Sequence, residues 1–278
     1  MKKKAISRRA KHKVDFEIRH RINVGREAVK DQGAFFLRNF GQVSSEWKKD
    51  LSRVTFADIA ISENIFSTLC ESFPKDNFCS EEMSSKESPI HLNGDFSWIL
   101  DPVDVTNNYA LGFPLCAISL ALLYEGMPIY GILYDFSIDS LIEGGFGHGL
   151  HQNNQAFEPI SEKLRAQEIV GMQFPLEPKI LELCTPLLEK FKIRAFGSSA
   201  LLSTWVAKGY LWGALDTRSK VWDIAASYAF AEAVGNSFNF LEKSPFPLNT
   251  FHTSIPKCPY FTGSKSFCQE MKRLLLSS

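Results

Sequence analysis

The stretch WILDPVDVTNNY, Trp98 to Tyr109, sets two carboxylates three residues apart, Asp101 and Asp104, at the mouth of an apolar run. Pro102 lacks a backbone N–H and disfavours helix at the residue before it, so the spacing predicts a strand that stops at Asp101. VTNNYALG can then open a helix, whose free backbone N–H groups form a ready anion site. Asp104 as a helix cap and Asp101 as a surface acid would explain the pair on its own. Two unpaired carboxylates this close repel, however, and a hard, oxygen-seeking cation such as Mg²⁺ resolves the repulsion. Two more acidic clusters enlarge the set. FCSEE places Glu81 and Glu82 at the end of a second expected strand, and VWDIAA places Asp223 at the expected start of a helix.

The elements that must position these acids read as follows. Apolar residues at helical spacing from about Phe16 to Phe40 predict a helix. SSEWKKDLSR reads as a charged loop, and VTFADIAISENIFSTLCESFP as a short lead-in and a helix with Asp58 near its start. After WILDP, CAISLALLY, IYGILYD and DSLIEGGFG read as three strands, and GHGLHQNNQAF as a glycine- and amide-rich turn. Later, strand-like and helical segments alternate to the end of the chain. Antiparallel strands followed by this alternation predict a mixed α+β fold, with sheets and helices in layers. The chain reads as one unit with a soft internal boundary near Glu158–Ser161.

Composition excludes several classes. Lys plus Arg and Asp plus Glu both number 31, so no global field points to nucleic acid or a membrane surface. The longest apolar stretch, Leu115 to Tyr124, is half of what a membrane span needs. Six scattered cysteines without a C-x-x-C pair predict free thiols in a reducing, cytoplasmic setting and no zinc site. The opening fifteen residues form a basic arm, read either as a solvated terminus or as a surface-binding segment.

Taken together, these motifs resemble the inositol monophosphatase family of Mg²⁺-dependent, lithium-sensitive phosphatases. The family pattern W-[IV]-[IVL]-D-P-[IVL]-D-G-T-x-N-[FY] is met by WILDPVDVTNNY at every fixed position except the glycine, which is Val105 here. CSEE is similar to the family G-E-E segment, WDIAA to its later W-D-x-A-[AG], Val54–Asp58 to its early T-x-x-D element, and FGSSAL to its G-[ST]-[AS]-[AS] element.

The resemblance implies an αβαβα sandwich holding two or three Mg²⁺ ions. Glu81, Asp101 and the Val103 carbonyl would bind the first ion, and Asp101, Asp104 and Asp223 the second. Asp58 and Glu81 would lie nearest a third. It further implies that Thr106 hydrogen-bonds the attacking water, that Asp58 orients or deprotonates it, and that Glu81 completes the catalytic group. Phosphate would rest on the N–H groups of Val105 and Thr106, a substrate hydroxyl on Asp216, and further contacts on Ser198 and Ser199. The substrate implied is a small phosphorylated metabolite, hydrolysed without a covalent intermediate, and a homodimer is implied as well. A 3′(2′),5′-bisphosphate nucleotidase is the alternative substrate reading. Val105 supplies a different one, because a β-branched residue where the backbone needs a positive φ is strained: a relative that keeps the fold and has lost turnover.

Overall fold

The computed structural model describes residues 8–47, 53–82, 88–160 and 169–276. In chain order the elements are α1 (Arg8–Asn39), β1 (Ser45–Trp47), β2 (Arg53–Thr55), α2 (Phe56–Ser72), β3 (Asn77–Ser80), β4 (Ile90–His91), β5 (Phe96–Asp104) and α3 (Thr106–Leu111). Then follow β6 (Ala117–Tyr124), β7 (Met127–Asp135), a 3₁₀ turn, β8 (Ser140–Gly145), β9 (Gly149–Gln152), β10 (Gln155–Ala156), β11 (Ile169–Met172) and α4 (Pro178–Lys190). The chain closes with β12 (Lys192–Arg194), α5 (Ser199–Ala207), β13 (Gly213–Asp216), α6 (Val221–Val234), β14 (Ser237–Phe240), β15 (Thr250–Phe251), β16 (Tyr260–Gly263) and α7 (Lys265–Leu276).

Two large sheets organise these elements. The first has seven strands in the order β10-β9-β8-β7-β6-β5-β3 and is antiparallel except for the β3–β5 pair. The second has five, β12-β11-β13-β16-β14. Three apolar cores mark the layers. Ile22, Val29 and Phe36 of α1 and Ile61, Ile65 and Leu69 of α2 pack on Trp98, Leu100, Ile118 and Leu120 of the first sheet. The opposite face of that sheet, with Ile99, Ala117 and Ala121, meets α5 and α6, which also cover Ala214 and Tyr260 of the second sheet. Val170, Leu215 and Phe261 turn to α4 and α7. The result is the expected five-layer αβαβα sandwich.

Sequence explains why the layers fit. CAISLALLY is apolar at every position except Ser119 because both faces of β6 are covered, and its period-2 alternation sends Ile118, Leu120 and Leu122 to one core and the small Ala117 and Ala121 to the other. Small residues there let α6 lie close. At Gly131 of β7 an added Cβ would stand 2.5 Å from the Ala226 carbonyl oxygen of α6, closer than any real contact allows. Helix α6 is itself buried almost all round, which is why VWDIAASYAFAEAV shows little amphipathic patterning.

Four local expectations need correction. The strand carrying the DPVD motif does not stop at Asp101. It runs to Asp104 with a break in register between the two acids: Asp101 pairs with Ser119, Asp104 with Ala117. A bulge absorbs Pro102, so the missing N–H costs no regular ladder bond. SSEWKKDLSR is not only a loop, because Ser45–Trp47 pairs antiparallel with Arg53–Thr55. GHGLHQNNQAF holds the paired strands β9 and β10, with Asn153 and Asn154 at positive φ in the turn. Finally, α1 begins at Arg8, inside the stretch read as a basic arm. The expected boundary near Glu158–Ser161 falls partly outside the described residues; the last strand of the first sheet ends at Ala156, and α5 and α6 pack against both sheets.

Candidate active site

The acids converge on one cleft because each sits at the end of an element pointing there. Parallel pairing of β3 with β5 brings Glu81, just beyond β3, beside the motif, and its N–H donates to the Leu100 carbonyl at 3.2 Å. Asp58 lies in the first turn of α2 and Asp223 in the first turn of α6, where a helix N-terminus favours negative charge. Oxygen atoms of Glu81, Asp101 and Asp223 all lie within 4.8 Å of one another. These three and Asp104 line a cleft of about 550 Å³ together with Val103, Val105 and Thr106.

Electrostatics shows how unfavourable this cluster is for bare protein. Burial, then the charges of Glu81, Asp104, Asp223 and Asp58, push the Asp101 carboxyl well above the usual range. Asp223 is raised in the same way by burial and by Asp104 and Glu81. Asp104 is pushed up to about 7 by burial, although hydrogen bonds from the Ser198 hydroxyl and the Ala200 N–H pull the other way. Carboxylates that raise one another's pKa in a buried cleft form a site for positive charge. Their all-oxygen donor set suits Mg²⁺.

Beside the acids, Asp58 is fixed by three bonds. Its Oδ2 accepts from the Thr55 N–H at 2.7 Å and the Thr55 hydroxyl at 2.6 Å, and its Oδ1 accepts from the Thr106 hydroxyl at 2.8 Å. Thr106 thus stands in the cleft with its proton aimed at Asp58 and oxygen lone pairs left to receive a proton from water. Val105 occupies the left-handed region, with φ 65° and ψ 64°. The strain expected from valine at the family glycine is therefore present, about 1–2 kcal/mol for a side chain held in the left-handed region.

The remaining expected residues divide. Asp104 lies outside the set of mutually close oxygens, its Oδ2 held at the start of α5 by Ser198 and by the Ala200 N–H at 3.0 Å. Ser198 also caps α5 by accepting from the Leu201 N–H at 3.0 Å, so its hydroxyl is engaged inside the protein. Ser199 donates to Asp216, whose other oxygen accepts from the Arg218 and Ser219 N–H groups at 2.8 and 3.2 Å. Asp216 and Ser199 line the cleft, but this bonding also shapes the β13–α6 turn. Reading SSEWKKDLSR as a charged loop misses Trp47 and Arg53, which line the cleft too, as do Arg218 and Lys257. The one signal was the early T-x-x-D element directly after Arg53, because strands of three residues show no usable alternation.

Comparison with known proteins bears on the family and the fold. The sequence profile of the inositol monophosphatase family matches residues 17–257. Inositol monophosphatase 1 of Solanum lycopersicum is 28% identical over 227 residues, covering 77% of this chain and 82% of that protein. The crystal structure of extragenic suppressor protein suhB from Bartonella henselae superposes with a TM-score of 0.78 at 25% identity, over 91% of this chain and 97% of the other. An IMPase/NADP phosphatase complexed with Mg²⁺ and phosphate shares the fold with a TM-score of 0.73 at 24% identity, over 96% of each chain. With its profile matched over most of its length and its acids gathered in one cleft, the chain belongs to the inositol monophosphatase family of phosphoric monoester hydrolases.

Proposed function

We propose that this protein is a Mg²⁺-dependent phosphomonoesterase acting on a small phosphorylated metabolite of the inositol monophosphate kind. The observation that carries the proposal is the mutual approach, within 4.8 Å, of carboxylate oxygens from Glu81, Asp101 and Asp223 on the floor of an open cleft. Glu81, Asp101, the Val103 carbonyl, Asp104 through its Oδ1, and Asp223 would hold two Mg²⁺ ions, with Asp58 and Glu81 nearest a third. Bound there, Mg²⁺ supplies charge neutralisation for the phosphate, a more acidic water and stabilisation of the leaving alkoxide.

The chain's own groups do the rest. The Thr106 hydroxyl oxygen accepts a proton from the attacking water as its own proton passes to Asp58, whose other oxygen Thr55 keeps fixed. Preset hydrogen bonds of this kind cost no reorganisation during the reaction. The N–H groups of Val105 and Thr106, at the start of α3, are the phosphate donors, and Asp216 meets a substrate hydroxyl. The left-handed backbone at Val105 favours one second reading, a relative that binds phosphate esters without efficient turnover. Cytoplasmic residence and a homodimer belong to the same proposal. In support of the first, all six cysteines are free thiols, and no described helix is long and apolar enough to cross a membrane.

The test is phosphate release from a panel of monoesters with Mg²⁺, with and without Li⁺. Mg²⁺-dependent turnover of at least one ester is expected, with inhibition by Li⁺. Absence of turnover across the panel, with esters still binding, would establish the second reading instead.

A further inference from the structure

The cleft has a basic, aromatic rim that the scissile phosphate does not account for. Five carboxylates and four basic side chains line the cavity, and two divalent ions together with a phosphate dianion would leave one positive charge over; the Lys220 ammonium is engaged by the Ile255 carbonyl, which leaves Arg53, Arg218 and Lys257. Arg53 is the most constrained of the three. It stands directly across the β1–β2 ladder from Trp47, and its guanidinium carbon lies 4.1 Å from the centre of the indole ring. Cross-strand partners of this kind hold each other in place. Nη1 donates to the Ser45 hydroxyl, while Nε is buried without a partner. No carboxylate among the described residues pairs with this guanidinium. The hairpin is tied to the catalytic corner, because Ser45 faces Thr55, the residue that fixes Asp58. Trp47 is 65% exposed, so the stacked pair stands at the solvent edge of the cleft.

We propose that Arg53, stacked on Trp47, is a specificity-determining residue that binds a second anionic group of the ester. Within that class of phosphomonoesters, the preferred substrate then carries a second anionic group besides the scissile phosphate. The inference rests on the phosphomonoesterase reading above and deepens it. A planar guanidinium presents paired N–H donors that match phosphate or carboxylate oxygens, and stacking removes the rotamer freedom it would otherwise lose on binding. The cavity, about 550 Å³, has room for a phosphorylated ring with such a substituent.

The experiment compares kcat/KM, with Mg²⁺, for matched pairs: fructose 1,6-bisphosphate against fructose 1-phosphate, inositol 1,4-bisphosphate against inositol 1-phosphate, and adenosine 3′,5′-bisphosphate against adenosine 3′-monophosphate. At least one doubly phosphorylated member should exceed its partner by about tenfold or more, the size of one charge-assisted contact. Arg53→Gln should reduce that ratio to near one, chiefly through KM, and Arg53→Lys should restore part of it. Trp47→Ala should reduce it to an intermediate value. Ratios near one for every pair in the unaltered protein, or equal losses on both members in Arg53→Gln, would overturn the proposal while leaving the phosphomonoesterase intact. No Mg²⁺-dependent release from any ester would instead overturn the reading on which it rests.

Discussion

Replacing Val105 with glycine sets the strain at the motif against the packing valine provides there. At φ 65° and ψ 64° a β-branched side chain costs about 1–2 kcal/mol relative to glycine. Against that relief stand two losses. Valine is half-buried and faces Gly197, where an added Cβ would lie 3.5 Å from its Cγ1, so removing it forfeits about 1 kcal/mol of apolar burial. Glycine also gives the unfolded chain more freedom, costing about 0.5–1 kcal/mol. These nearly cancel, and thermal unfolding should shift by no more than about 2 °C, since 1 kcal/mol corresponds to about 2 °C in a chain of this size. Activity should move more than stability. The side chain lines the cleft beside the proposed phosphate donors, and its removal should raise kcat/KM by up to about tenfold, or 1.4 kcal/mol. Differential scanning fluorimetry and a phosphate-release assay read the two effects. A fall of more than about 4 °C would refute the strain argument, because packing would then dominate. A gain of several hundredfold would show that valine blocks turnover in the natural chain.

Three further outcomes follow from the same structure. Asp101→Asn or Asp223→Asn keeps side-chain size but removes a charge from the cluster, so each variant should stay folded and be no less stable than the metal-free parent. Each should lose Mg²⁺-dependent phosphate release by more than about 100-fold in the same assay. In the metal-free protein, Asp104 holds its proton up to about pH 7 while the unfolded chain releases it near pH 4, so stability should fall as pH rises across that window. Saturating Mg²⁺ at about 100 times its Kd should add about 2.7 kcal/mol, or about 5 °C, at pH 7.5, as melting curves across pH with Mg²⁺ or EDTA will show. Gly131→Ala forces a Cβ to within 2.5 Å of the Ala226 carbonyl, and should lower the melting temperature by about 4 °C or more without changing KM.

Much of the candidate site is legible in the sequence because its expected chemistry is local. Asp101, Asp104, Val105 and Thr106 lie in one continuous motif, and Glu81 and Asp223 each end or begin an element whose apolar pattern is plain. Pattern could not show which oxygens meet. Asp104 is drawn toward α5 by Ser198 and Ala200, contacts made across more than ninety residues, and this sets it apart from the Glu81–Asp101–Asp223 group. The strand expected to stop at Asp101 runs on to Asp104 for a related reason. A proline argues against a regular ladder, but a bulge between Asp101 and Asp104 lets pairing with β6 resume beyond it. The β1–β2 hairpin went unread because three-residue strands carry too little periodicity to separate them from a charged loop. With it went Arg53 and Trp47, the residues that now shape the rim.

The most direct measurement is the anomalous scattering of crystals grown with Mn²⁺ in place of Mg²⁺. The structure predicts a peak ligated by Glu81 and Asp101 and another by Asp101 and Asp223, with both lost in Asp101→Asn crystals. Peaks confined to other carboxylates, or a cleft without manganese at saturating concentration, would contradict the claim that these acids exist to hold catalytic cations.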